Sequence, residues 1–138
     1  MVRDRTTDGE RLAELLASEV HGRSSGPMGR IAVVDAVEGV EPTEDGAFAY
    51  GLDRAGERLA DVYIHPDRAH IEFEQGVDAA AAVGQEAGLR VRPKAVRPPR
   101  TLVFVEDGAE VKRATDVLAT VVESLAAEGP DQDANMNG

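Results

Sequence analysis

The sequence has no cysteine and no tryptophan, and its 138 residues include only two tyrosines, three phenylalanines and three histidines. The absence of cysteine excludes disulfide bonds, thiolate zinc sites, iron–sulfur clusters and cysteine nucleophiles. Because aromatic side chains are scarce, the core must be built mainly from Val, Leu, Ile and Ala. The three histidines are the only side-chain nitrogen ligands left for a metal ion, and the sequence predicts no bound cofactor.

Long apolar runs are also missing, and none approaches the ~20 residues that a membrane-spanning helix needs. The first ten residues, MVRDRTTDGE, lack the apolar region of a signal peptide. We therefore expect a cytoplasmic protein without a membrane association. The length suits one compact domain, which we place at residues 7–129, between a flexible N-terminus at 1–6 and a disordered tail at 130–138.

Lysine is rare in a strongly acidic chain. Twenty-six acidic residues stand against fifteen basic ones, for a formal net charge of -11, and only Lys94 and Lys112 are lysines. This acid-rich, lysine-poor, cysteine-free composition resembles that of cytosolic proteins from extreme halophiles. In molar salt the Debye length falls to ~3 Å, which removes most of the self-repulsion of such a charge. The acidity therefore indicates an environment and says little about partners.

The first third of the chain predicts one helix and one strand. Thr7 and Glu10 fit a capping box, with the Thr7 side chain as N-cap, and the helix that follows ends at Gly22. Residues 31–37, IAVVDAV, form a nearly continuous apolar run that is more typical of an interior strand than of an edge strand. Residues 38–46 hold two glycines, one proline and four acids, and so predict an exposed loop.

Two hairpins are predicted next. Residues 53–56, Asp-Arg-Ala-Gly, fit a three-residue loop with a glycine bulge, which would place Tyr50 opposite Ala60 and Phe48 opposite Val62. The second turn carries Pro66 and Asp67 at its central positions. Its register places one apolar set beside another, namely Ala69, Ile71 and Phe73 beside Ile64, Val62 and Ala60.

The last third predicts a helix, a strand and a longer helix. Residues 76–88 form an alanine-rich helix that ends at Gly88, and 101–105, TLVFV, form a buried strand. Asp107 and Glu110 give a capping signal for a helix that ends before Gly129. Its apolar stripe is Val111, Ala114, Leu118, Val121 and Leu125. The sequence thus predicts a two-layer α+β domain, a mainly antiparallel meander covered by helices, in the order α-β-β-β-β-α-β-α.

The run of a hairpin, a glycine-containing helix, a basic extended segment, a buried strand and an amphipathic helix spans residues 57–125. This run is similar to the small sheet-and-helix domains of the YdhG type. The resemblance implies a sheet covered by helices, and it implies no activity, because one fold can carry many functions.

One group of residues has the chemistry of a metal site or an acid–base pair. In the predicted register Asp61 lies opposite Glu72, on the same face as His70 and Glu74. A metal-dependent enzyme would use His70, Asp61 and Glu72. The competing interpretation is a solvated face of an acidic protein, and we favour it because an open pleated face lacks a concave first shell. His65 falls in a turn, and His21 fits a helix C-terminus, where an imidazolium interacts favourably with the helix dipole.

The basic segment, residues 89–100 (LRVRPKAVRPPR), contrasts with the rest of the chain. It contains no acid, and its five cations are Arg90, Arg92, Lys94, Arg97 and Arg100. Prolines at 93, 98 and 99 should hold it extended along the surface. The segment is interpreted in three ways: a docking site for an acidic partner or nucleic acid, a site for a phosphate-bearing ligand, or an internal counter-charge for the protein's own acids.

From these patterns we expect a non-catalytic binding or interaction module, with the five cations of the basic segment as its main contact site for a protein or other anionic partner. An RNA-binding or phosphate-ligand-binding protein is the second hypothesis. Against single-stranded RNA stands the lack of aromatic residues in the basic segment, because such sites normally stack bases on aromatic rings. The metal-dependent enzyme is the third.

Overall fold

A computed structural model describes residues 8–23 and 26–128. The predicted flexible N-terminus at 1–6 and the predicted tail at 130–138 lie outside these ranges. The three α-helices are α1 (Gly9–Gly22), α2 (Val77–Glu86) and α3 (Gly108–Glu128), and a short 3-10 helix spans Gly26–Arg30. The six strands are β1 (Ile31–Val34), β2 (Ala47–Arg54), β3 (Glu57–Ile64), β4 (Ala69–Phe73), β5 (Val91–Lys94) and β6 (Arg100–Val105).

The strands form one open antiparallel sheet in the order β1-β2-β3-β4-β6-β5. The predicted α+β fold and its order of elements are confirmed, and the structure adds β5 as a short strand inside the basic segment. The expectation that residues 31–37 form an interior strand is wrong. β1 is an edge strand that stops at Val34, because Asp35 adopts a left-handed backbone conformation with φ 55° and turns the chain away.

The core lies between the helices and one face of the sheet. Every second residue of the central strands faces the helices, so Tyr50, Val62, Ile71 and Val103 follow one another across the sheet. The Tyr50 hydroxyl donates to the carbonyl oxygen of Ala13 in α1 at 2.7 Å. Most of the other buried apolar side chains here are Ala, Val, Leu and Ile, as the scarcity of aromatic residues predicts, together with Phe73.

Helix α2 packs very close to the sheet. A Cβ atom added at Gly84 would lie 2.9 Å from Cγ2 of Val91 and 3.4 Å from Cγ2 of Val103. Such distances leave no room for a side chain without movement of the helix or the strands. The alanine-rich sequence of α2 therefore has a packing role, because small side chains permit this approach.

The helix caps agree with the sequence in one case and differ in the other. The N-cap of α1 is Asp8, whose Oδ1 accepts from the Arg11 amide at 3.2 Å, so the assignment of this role to Thr7 is wrong and Thr7 itself lies outside the described residues. At α3 the predicted signal is used, because Asp107 Oδ1 accepts from the Glu110 amide at 3.1 Å. Within the described ranges, no helix combines the length and the hydropathy that crossing a bilayer would need.

The first hairpin differs from its prediction. Ala55 and Gly56 both have positive φ, 54° and 81°, so they form a tight two-residue turn in place of the expected three-residue loop. Tyr50 pairs with Val62, not with Ala60. The register has two irregularities, one between Leu52 and Asp53 and one between Phe48 and Tyr50. The latter puts Phe48 opposite Tyr63, on the face away from the helices. The alternation pattern fixed the face of Tyr50 but could not locate two bulges.

The second hairpin has the predicted register. Ile64, Val62 and Ala60 pair with Ala69, Ile71 and Phe73. The same pairing sets Asp61 opposite Glu72 and Tyr63 opposite His70 on the other side of the sheet. That side, away from the helices, is called the polar face below.

Candidate functional site

The polar face is not solvated, contrary to our expectation. Asp61, His70 and Glu72 are only 7%, 4% and 2% exposed. They are covered by long cationic side chains and by the loop at 38–46 instead of by helices. Burial of this many ionisable groups demands partners for them, because an uncompensated buried charge is costly.

Glu72 is held between two cations of the basic segment. Lys94 Nζ lies 3.3 Å from Oε1 and 3.2 Å from Oε2, and Arg100 donates to Oε2 at 2.6 Å. Burial by itself would raise the pKa of Glu72, but the hydrogen bonds and charges of Arg100 and Lys94 outweigh it and lower that pKa. Glu72 is therefore an ionised buried carboxylate with two cations around it.

Arg58 is the shared cationic partner of a second acidic cluster. Its guanidinium lies over Gly51 and forms ion pairs with Asp35, with Asp53 at 2.9 Å and with Asp61 at 2.6 Å. The hydrogen bonds to Asp61 and Asp53 raise the pKa of Arg58. A side chain at Gly51 would collide with this guanidinium, since a Cβ there would lie 2.5 Å from Arg58 Cζ.

His65 and His70 form a hydrogen-bonded chain, which we call the histidine pair. His65 Nδ1 lies 2.9 Å from the carbonyl oxygen of Glu44 and must donate, because a carbonyl only accepts. In the neutral His65 ring, Nε2 then accepts from His70 Nδ1 at 2.8 Å. This assignment leaves His70 Nε2 as a bare acceptor, 3.6 Å from Glu72 Oε1.

The electrostatics of His70 agree with a neutral ring. Burial and the adjacent His65 lower the pKa of His70 to about 4, against an opposing effect of Glu72. Its buried Nε2 has no hydrogen-bond partner among the described residues. The ring stacks on Tyr63 with centroids 5.0 Å apart and lies 5.3 Å from the Phe104 ring. His70 is thus an uncharged base in an aromatic setting, beside an ionised carboxylate.

The basic segment is divided by its ion pairs. Lys94 and Arg100 hold Glu72, and Arg100 also lies 3.6 Å from Glu74. Arg90 lies 3.4 Å from Glu106 but remains 63% exposed on its side chain. Arg92 and Arg97 are exposed and form no ion pair with any acid in residues 8–23 and 26–128. The internal counter-charge interpretation thus applies to Lys94 and Arg100, whereas Arg92 and Arg97 are exposed without an acid partner among the described residues.

The predicted metal ligands are brought together but are already engaged. Asp61 pairs with Arg58, and Glu72 pairs with Lys94 and Arg100. Across the part of the chain that the structure describes, no three His, Asp or Glu side chains are arranged to hold a metal ion. The arrangement therefore does not favour the metal-dependent enzyme.

A cleft of about 370 Å³ opens on the polar face beside the basic segment. The loop at 45–46 contributes one part of its lining, and β5 contributes another through Arg92, Pro93 and Lys94. The floor comes from the central strands and β6, with Tyr63, His70, Glu72 and Leu102. The cleft therefore combines two cations and two carboxylates with one buried base and two half-buried apolar side chains.

A family model described as a family of unknown function, DUF7993, matches residues 1–135. The chain belongs to DUF7993. No curated protein and no solved structure matches it. Because the DUF7993 match names neither a halophilic source nor the YdhG type, those two resemblances stay predictions.

The sequence pattern does not reveal two residues of this site. His65 falls in the predicted turn, yet it is 4% exposed and hydrogen-bonded to His70. Gly46 lets the loop cross the histidine pair, because a Cβ there would lie 3.1 Å from His65 Nε2 and its φ is 100°. The one usable signal was the spacing of His65 and His70 on either side of a predicted turn, which brings the two strand ends together.

Proposed function

We propose that this chain is a cytoplasmic, non-catalytic binding module that docks an acidic stretch of a partner protein on the exposed part of its basic segment. The observation that carries the proposal is the exposure of Arg92 and Arg97 without an ion pair to any described acid. The chain holds 26 acidic residues, yet residues 89–100 contain none, so Arg92 and Arg97 have no carboxylate in their own segment. Arg90, with its exposed side chain, extends the same surface.

Arginine suits this role because its planar guanidinium binds a carboxylate through two parallel hydrogen bonds. Val96, which is 40% exposed, adds an apolar contact between Arg92 and Arg97. RNA is the second candidate partner. Phe104 is 4% exposed and lies under Arg68 and Arg90, and Tyr63 on the cleft floor is half-buried, so these two rings do not form the series of exposed aromatic side chains on which successive bases stack.

The docking contact should use side chains and not strand addition. The Phe104 amide donates to the Arg90 carbonyl at 2.9 Å, and hydrogen-bonded residues alternate along an antiparallel pair. Arg92 and Lys94 therefore turn their amides toward β6, and Val91 and Pro93 face the open edge. Because proline has no amide hydrogen, Pro93 offers no donor to a further strand, which leaves Val91 as the outward-facing donor of β5.

The test is a titration of the protein with an acidic peptide, followed through the amide chemical shifts. The double variant Arg92→Gln/Arg97→Gln should stay folded and lose at least about tenfold in affinity, because two charge-assisted contacts disappear. Lys112→Gln/Arg113→Gln on α3 is the matched control. It removes the same charge from another exposed site and should keep nearly all of the affinity.

Lys94 and Arg100 are left unchanged in this design, because their removal would leave Glu72 buried without a partner. A loss of folding could then not be distinguished from a loss of binding. Equal losses in the two double variants would show only a general charge effect and contradict the proposal. Shifts that miss residues 89–100, or a short RNA that binds at the segment while the peptide does not, would also contradict it.

A further inference from the structure

We propose that the cleft on the polar face binds a small organic anion with a flat apolar body, such as an aromatic carboxylate or phosphate ester. The inference shares Arg92 with the proposed docking surface, but it depends on Tyr63 and Leu102, which belong to the cleft alone. The volume of about 370 Å³ suits a molecule of this size.

The cleft holds one cation that its buried carboxylate does not use. Glu72 contacts Lys94 and Arg100, and Arg100 also lies 3.6 Å from Glu74, so these two cations and two acids balance one another. Arg92 adds an exposed cation without a described acid partner. The acid of the loop, Asp45, also lines the cleft, so the anionic group of a ligand belongs beside β5, at Arg92 and Lys94.

The floor next to these cations is apolar. Leu102 and Tyr63 are half-buried and line the cleft, and the Tyr63 ring is held in place by stacking on His70, with an interplanar angle of 17°. A flat ligand that covers Leu102 and the Tyr63 ring would gain by removing apolar surface from water. A compact inorganic anion would make the charge contacts, but it would not cover Leu102 and Tyr63 and so would lack the hydrophobic contribution to binding.

His70 gives the cleft a second unusual feature. It lines the cleft, it is 4% exposed, and its Nε2 has no hydrogen-bond partner among the described residues. Buried polar atoms without partners are rare in folded proteins, so this atom calls for an explanation. Because His70 is neutral at neutral pH, it adds no charge to the cleft, and the cations that attract the anion are those of β5.

The experiment compares four probes by nuclear magnetic resonance: benzoate, phenyl phosphate, inorganic phosphate and uncharged benzamide. Benzoate and phenyl phosphate should shift the Tyr63, Leu102 and Arg92 signals, and they should bind at least about tenfold more tightly than the other two. If benzamide binds as well as benzoate, the charge has no role and the proposal fails. If inorganic phosphate binds as well as phenyl phosphate, the apolar floor has no role and it fails equally.

Variants connect the binding to the residues. Leu102→Thr reduces the apolar floor and should weaken benzoate by roughly fivefold, whereas Arg92→Gln, at an exposed position where folding is not at risk, should weaken it by about tenfold. Unchanged benzoate binding by Arg92→Gln overturns the proposal, whatever the stability of Leu102→Thr.

Arg97→Gln separates this proposal from the docking function. Arg97 does not line the cleft, so its loss should leave benzoate binding intact while it weakens the acidic peptide. If the acidic peptide does not bind but benzoate does, only the docking function is contradicted. If benzoate does not bind but the peptide does, only the cleft proposal is contradicted. Weakened benzoate binding in Arg97→Gln would show a diffuse charge effect and overturn the cleft proposal.

Discussion

At His70, opposing effects act on one imidazole ring. Burial and His65 lower its pKa, Glu72 raises it, and Lys94 lowers it further. Burial dominates because the ring lies between Tyr63 and Phe104 with almost no exposed surface. The ionised Glu72 needs its two cations for the same reason, since a carboxylate at 2% exposure without partners would be strongly destabilising.

The low pKa of His70 predicts a specific loss of stability in acid. As the pH falls below 6.5, the unfolded chain binds a proton at this imidazole, whereas the folded chain binds it only near pH 4. The unfolded state therefore holds more protons in this window, and the free energy of unfolding decreases by roughly 2–3 kcal/mol between about pH 7 and about pH 4.5 from this group. Urea denaturation at the two pH values measures the change.

His70→Asn isolates the contribution, because its amide can still donate to His65 Nε2 but does not titrate. This variant should lose less stability between the two pH values than the wild-type protein does. His21→Asn, at an exposed position on α1, is measured in parallel as the matched loss of an imidazole. The same acid sensitivity in His70→Asn and in the wild-type protein would rule out this account.

Helix α3 packs one face against the core. Its predicted apolar stripe is buried at Val111, Ala114, Leu118 and Val121, while Leu125 near its end is half-buried. The periodicity was sufficient to locate this face, because an amphipathic helix can bury only one side.

Leu118→Ala should therefore destabilise the protein by ~2–5 kcal/mol, since Leu118 is 0% exposed and its truncation leaves a cavity. Leu125→Ala on the same helix removes the same atoms from a half-buried position and should cost less. The midpoints of chemical denaturation give both values. A Leu118→Ala midpoint equal to that of the wild-type protein would show that this part of α3 does not pack as described.

The molecule as a whole carries a net charge of -11, so its acidic residues repel one another. Its described ion pairs are of two kinds, exposed pairs such as Arg11 with Glu14 and protected ones such as Arg100 with Glu72. Salt weakens the exposed pairs, which contribute only ~0–1 kcal/mol each, and affects the protected ones much less. The general repulsion among acids is spread over the surface and is strongly screened.

We therefore expect the thermal midpoint to rise between about 0.1 M and about 2 M NaCl or KCl. The double variant Glu38→Gln/Glu41→Gln removes two exposed acids from the loop. Its thermal midpoint should rise less with salt, because there is less repulsion among its acidic residues to screen. A midpoint of the wild-type protein that stays flat or falls with salt would contradict both this expectation and the halophilic interpretation of the composition.

The sequence by itself determined the α+β class, the position of the helices and the register of the second hairpin. Local signals carry that information: apolar periodicity for α3, a Pro-Asp turn for the second hairpin, and an acid-rich loop at 38–46. Alternation along β3 and β4 also predicted correctly that Asp61 lies opposite Glu72.

Only the tertiary structure decided what happens on the polar face. Whether Glu72 is solvated or clamped depends on Lys94 and Arg100, which come from segments 22 and 28 residues away along the chain. Burial of His65 depends likewise on Gly46 crossing above it. Charge pairing acts through space and has no period in the sequence, so the division of the basic segment into internal partners and exposed contacts appears only when the strands are placed side by side.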